Sequence, residues 1–63
     1  MNIFVGEFKS EQRRAEIVQD DNGGYLVDCY ADGVFKRTID VSDHALRYAE
    51  DTAENWVTGI IKE

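Results

Sequence analysis

Asp20-Asp21-Asn22-Gly23-Gly24-Tyr25-Leu26-Val27-Asp28-Cys29-Tyr30-Ala31-Asp32-Gly33-Val34 decides the fold. Two turn signals, Asn22-Gly23 and Asp32-Gly33, bracket one β-rich run. Asn-Gly and Asp-Gly supply the positive φ angles that hairpin turns demand. Similar β-rich runs lie outward on both sides, at Arg14–Gln19 and Val34–Val41. With Tyr25–Tyr30 between them, they predict a three-stranded antiparallel meander.

Patterning should also choose the register, because a one-residue slip swaps the two faces of a strand. A two-residue Asp32-Gly33 loop pairs Ala31 with Val34 and mixes Leu26 and Ile39 with Asp28 and Arg37. A three-residue loop pairs Tyr30 with Val34 and sets Asp28 opposite Lys36. It puts Tyr25, Val27, Cys29, Phe35 and Ile39 on one face, with Arg37 at its edge. The second register gives the cleaner apolar face and is the expectation here. The opposite face would carry Val18, Leu26, Tyr30 and Val34, open to solvent or to a partner.

Beyond Val41 the hydrophobic period changes. Leu46, Ala49, Ala53, Trp56, Val57 and Ile60 recur at helical spacing, which predicts an amphipathic helix over Asp43–Ile61. Ser42 or Asp43 would be its N-cap. The alanines would let the helix lie close to the sheet, and Trp56 and Ile60 would fill the wider end. Residues 1–13 suit an N-terminal arm or a short edge strand. The expected class is therefore α+β, a single small domain over 1–63: a three-stranded antiparallel meander packed on one C-terminal helix.

Composition narrows the function. Hydrophobic residues make up 43% and charged residues 32%, too apolar for disorder. One cysteine excludes an internal disulfide, and one Cys with one His falls short of a four-ligand structural zinc site. A domain this small usually gains stability from such a staple or from a partner subunit, so a homodimer or other homo-oligomer is expected. The net charge is −6, and the whole deficit lies in residues 20–63, where ten acids face Lys36, Arg37, Arg47 and Lys62. A phosphate backbone needs a clustered basic face, so no nucleic acid is expected as partner. No apolar run reaches the roughly 20 residues of a membrane span, and no membrane partner is expected. The opening residues lack a basic, then apolar, leader pattern, which with the lone thiol points to a cytoplasmic setting.

No catalytic constellation stands out, and no enzyme activity, metal or cofactor is expected. His44 shares a helical face with Tyr48 and Asp51, the best triad available, but lacks a nucleophile. Cys29 reads as a small core residue, since no cation cluster activates it. Asp20–Gly24 lacks the ligand spacing of a calcium loop, and Gly23-Gly24 lacks the lysine of a phosphate loop. The interaction candidates are Leu26 and Tyr30 on the open sheet face, Tyr48 beside the helix stripe, and the carboxylates Glu50, Asp51 and Glu54 on the helix surface.

The segment Arg47-Tyr48-Ala49-Glu50-Asp51-Thr52-Ala53-Glu54-Asn55-Trp56, with the Gly-Gly-Tyr strand before it, resembles short uncharacterised proteins of marine cyanobacterial phages. The likeness covers residues 14–61 and brings no functional residue with it; it implies a host cytoplasm as the setting. The β-β-β-α order also resembles partial RNase H-like antitoxin domains and double-stranded-RNA-binding domains, at the level of fold alone. Two functions follow as expectations: a module that self-associates through its sheet, or an acidic inhibitor or decoy for a basic surface of a nucleic-acid enzyme.

Overall fold

A computed structural model describes residues 2–61; Met1, Lys62 and Glu63 lie outside the described residues. Four strands precede one helix: β1 (Ile3–Lys9), β2 (Arg13–Gln19), β3 (Tyr25–Ala31), β4 (Val34–Asp40) and α1 (Leu46–Val57). The strands form one antiparallel sheet in the order β1-β2-β3-β4. The α+β class and the C-terminal helix stand as expected. The sheet has four strands rather than three and an arm, because residues 3–9 pair along β2 on both sides of a bulge at Val5.

The β3–β4 hairpin opens with the two-residue loop and not with the expected three-residue loop, so Tyr30 does not pair with Val34. Asp32 (φ 54°) and Gly33 (φ 79°) form a two-residue turn with both residues left-handed, and Ala31 pairs with Val34. A bulge follows at once: Tyr30 faces Phe35, but Cys29 faces Arg37. The extra residue returns Val27 and Ile39 to one face. It also corrects three expectations. Phe35 lies on the Tyr30 face, Val34 lies on the Ala31 face, and Asp28 stands opposite Thr38 rather than Lys36.

The core fills the space between α1 and one sheet face. Ala15, Ile17, Val27, Cys29, Val41, Ala49, Ala53 and Trp56 are almost wholly buried there. Each larger apolar side chain contributes roughly 1.5–3 kcal/mol by leaving water. Ala49 and Ala53 let the helix approach Ala15 on β2, while Trp56 spans to β3 and its indole N–H donates to the Tyr30 carbonyl at 2.9 Å. Phe8 seals the β1 side.

The helix is shorter than its apolar stripe. At its start, the Asp40 carboxylate accepts the Ser42 N–H at 2.9 Å, and His44 N–H donates to Val41 O. Ser42 and Asp43 lie within that turn, ahead of the helix, and Ala45 becomes the N-cap and supplies no side-chain cap. At the end, Gly59 adopts φ 88°, Gly59 N–H donates to Trp56 O, and Ile60 N–H donates to Asn55 O. This is the glycine-terminated closure that satisfies a helix's last carbonyls. Ile60 is thereby thrown outward, 70% exposed, and Ile61 packs against the core in the place expected of Ile60.

Arg13 locks that end. Its Nη1 donates to Trp56 O at 2.9 Å and to Ile61 O at 2.6 Å, and its guanidinium lies 4.4 Å from the centre of the Trp56 ring. A cation at a helix C-terminus complements the negative end of the helix dipole. One side chain on β2 thus holds the helix end, the indole and the residues beyond.

Candidate interaction surface

The sheet face away from α1 is uncovered among the described residues, because β1 extends the sheet instead of folding over it. Residues paired across strands point to the same side, and the pairings resolve this face into three rows. Phe4, Val18, Leu26 and Asp40 form one end row. Glu7, Glu16, Asp28 and Thr38 form the middle row, and Lys9, Arg14, Tyr30 and Phe35 the other end row.

Two cations of the neighbouring end row, with Thr38 from within the row, engage the carboxylates of the middle row. Arg14 Nη1 lies 2.7 Å from Glu16 and 3.5 Å from Glu7, Lys9 Nζ lies 3.7 Å from Glu7, and the Thr38 hydroxyl donates to Asp28 at 2.7 Å. Such half-exposed pairs add little stability each. They do tie down what would be a line of three bare carboxylates. Arg14 also lies 4.0 Å from the centre of the Tyr30 ring, which Phe35 meets edge-on at 5.5 Å. The other end is plainly apolar: Val18 is 9% exposed between Leu26, half-buried, and Phe4, 60% exposed.

Leu26 and Tyr30 therefore sit on the open face as the sequence suggested, at opposite ends of it. Phe4, Arg14 and Phe35 belong with them and were missed. Phe35 had been assigned to the other face by the unrecognised bulge, and Phe4 lies in the ambiguous N-terminal stretch. A second bulge, at Val5, separates the pairs Phe4–Val18 and Gly6–Ile17, so the period-2 signal of β1 breaks in mid-strand.

The remaining candidates lie on α1. Glu50, Asp51 and Glu54 are exposed, and the ion pairs described above involve none of them. Tyr48 is 49% exposed, and its ring stacks on His44 at 3.8 Å and 11°. Together with Asp51 they line a groove of about 550 Å³ between α1 and β4, opposite Arg37 and Ile39. His44, Tyr48 and Asp51 thus line one groove. The first two meet face to face, an arrangement for stacking rather than for passing a proton.

Cys29 is fully buried, and burial pushes its thiol up from 9.0 to about 11, against a smaller opposing pull from Arg37. That is the reverse of an activated nucleophile. Asp40 titrates below the usual carboxylate range because Ser42 hydrogen-bonds to it through side chain and backbone. Among the described residues, no group of three or more His, Cys, Asp or Glu could hold a metal ion, and no helix is long and apolar enough to cross a membrane. Comparison with known proteins finds no matching family model, no similar curated protein and no similar solved structure.

Proposed function

We propose that the chain is a non-catalytic protein-interaction module that associates with a second copy of itself through the open sheet face. One observation carries this reading: each end row holds large apolar or aromatic side chains (Phe4, Val18 and Leu26; Tyr30 and Phe35), and the carboxylates between the ends are already engaged by Arg14, Lys9 and Thr38. A two-fold axis lying across the strands sets each end row on the opposite end row of the other copy, with Leu26 on Tyr30 along β3. The same axis sets the middle row on itself. Arg14 and Thr38 then keep Glu7, Glu16 and Asp28 from meeting as unpaired like charges. Such an isologous contact buries one patch twice. A standard interface takes about 800 Å² from each partner, roughly a fifth of the 4149 Å² this chain exposes.

The test is solution molar mass by light scattering across a dilution series. The parent chain is expected to fall from dimer to monomer mass on dilution, and Leu26→Lys with Tyr30→Asp to shift that midpoint by at least tenfold in concentration. Superimposable curves for the two chains reject the reading.

A second reading rests on the exposed carboxylates of α1. Glu50, Asp51 and Glu54 would place the chain as an acidic decoy for a basic surface. Such binding weakens steeply with salt. A captured partner whose affinity is unchanged between low and high salt counts against it.

A further inference from the structure

The β2–β3 turn carries a reactive pair of residues that neither sheet face uses. The chain has three asparagines, Asn2, Asn22 and Asn55, and only Asn22 is followed by glycine. A backbone amide nitrogen can attack the side-chain carbonyl carbon of an asparagine just before it. Glycine leaves that nitrogen unshielded because it has no Cβ, whereas Ile3 and Trp56 shield it at the other two sites. Asn22 and Gly23 are both exposed at the hairpin tip. Among the described residues no hydrogen bond holds the Asn22 side-chain amide; only its backbone N–H is engaged. That backbone is clipped shut. Asn22 N–H and Gly24 N–H both donate to Asp20 Oδ1 at 2.9 Å, and Gly23 N–H donates to the Asp20 carbonyl at 3.0 Å. Asp20 N–H closes the hairpin on the Gly24 carbonyl at 2.8 Å. The turn is also seated without slack, since a Cβ on Gly24 would lie 2.6 Å from the Ser42 Cβ.

We propose that Asn22 is a site of spontaneous deamidation, and that Asp20 sets its rate by holding the turn closed. The Gly23 nitrogen gives up its proton and bonds to Asn22 Cγ. The Cγ–Nδ2 bond breaks, and Nδ2 takes up a proton and leaves as ammonia. Water then opens the five-membered imide at either carbonyl, which leaves aspartate or isoaspartate at position 22. No electrons are exchanged, and water is the only co-reactant. In the closed turn the proton that must leave Gly23 is held against the Asp20 carbonyl, and the nitrogen cannot swing toward Cγ. Reaction therefore waits for local opening of the hairpin tip. Either product adds a negative charge beside Asp20 and Asp21, on a chain already at −6. The iso form also runs the backbone through the side-chain carbon. That extra methylene is incompatible with three consecutive N–H groups meeting on one residue.

The test follows each asparagine by peptide mapping and mass spectrometry during long incubation in warm, mildly alkaline buffer. Amide-to-acid conversion changes the peptide mass, whereas Asp32-Gly33 can pass through the same ring only without a net change of mass. In unfolding urea, Asn22 is expected to convert while Asn2 and Asn55 stay intact; an unreactive Asn22 there overturns the proposal. The folded parent is expected to convert about tenfold more slowly than the urea sample, and equal rates overturn the protection by the turn. Asp20→Ala, with folding verified by circular dichroism, is expected to convert roughly threefold faster than the folded parent. Asp20→Asn keeps an Oδ1 acceptor and is expected to stay near the parent rate. An Asp20→Ala chain as slow as the parent overturns the role of Asp20. Should that variant fail to fold, the parent in urea below its unfolding transition takes over. A rate that climbs before the circular dichroism signal moves supports opening of the turn, and a rate that rises only with that signal overturns it. None of these outcomes bears on whether the open sheet face meets a second copy.

Discussion

The two faces of this sheet use the same period-2 alternation to opposite ends. Toward α1, small residues (Ala15, Ala49, Ala53) and one large one (Trp56) interlock, and the central side chains of β2 and β3 are buried. Away from α1, large side chains stand half-exposed and charges are satisfied in pairs across strands. The first face holds the fold together, and on the proposed reading the second is left for contact. On that reading, stability and association are carried by different residues of the same strands, sometimes by neighbours. Arg13 turns inward to lock the helix end, and Arg14 turns outward to bridge two glutamates.

The contrast can be broken most forcefully at Trp56. A domain of this size holds only about 3–9 kcal/mol of net stability. Trp56→Ala is expected to cost about 3–5 kcal/mol, so thermal or urea unfolding should find the variant largely unfolded at room temperature. Arg13→Ala comes next, at about 2–3 kcal/mol, since it leaves two helix-end carbonyls without their charged donor. Arg13→Lys should recover less than half of that, because an ammonium lacks the planar fork. A urea midpoint for Arg14→Ala within about 0.5 kcal/mol of the parent would complete the inward–outward comparison.

Cys29 sharpens it by pH. Its folded-state pKa is raised, so the unfolded thiol loses its proton first. The stability it lends is fully present below pH 9 and is lost as pH climbs toward 11. The loss is expected to reach about 2 kcal/mol, read as the difference between parent and Cys29→Ala urea midpoints at pH 8 and pH 11. On the open face, Leu26→Lys with Tyr30→Asp is expected to cost only about 1 kcal/mol in the monomer while changing the association midpoint by an order of magnitude. A collapse of the fold in that variant would erase the distinction between the faces.

Much of the inward face was legible because it obeys periodicity. The stripe Leu46, Ala49, Ala53 and Trp56 announces itself, and the Asn-Gly and Asp-Gly turns fix where strands end. What escaped detection breaks a period or spans the chain. The bulges at Val5 and after Phe35 each insert one residue and exchange faces locally, which moved Phe35 and Val34. The helix start depends on Asp40 claiming the Ser42 amide, a local hydrogen bond that competes with capping. The lock from Arg13 to Trp56 and Ile61 joins residues more than forty positions apart, and nothing in an adjacent basic pair says which arginine turns inward. The open face was legible in part: Leu26 and Tyr30 lie on the central β3, whereas Phe4 and Phe35 belong to the bulged edge strands.

The central claim is that the open face meets its own copy, end row against opposite end row. Its most direct test is an isotope-filtered NOE experiment on a mixture of labelled and unlabelled chain. Intermolecular cross-peaks are expected from the Leu26 methyls to the Tyr30 ring and from the Phe4 ring to the Lys9 side chain. A dimer showing none of these, with its intermolecular contacts elsewhere, would contradict it.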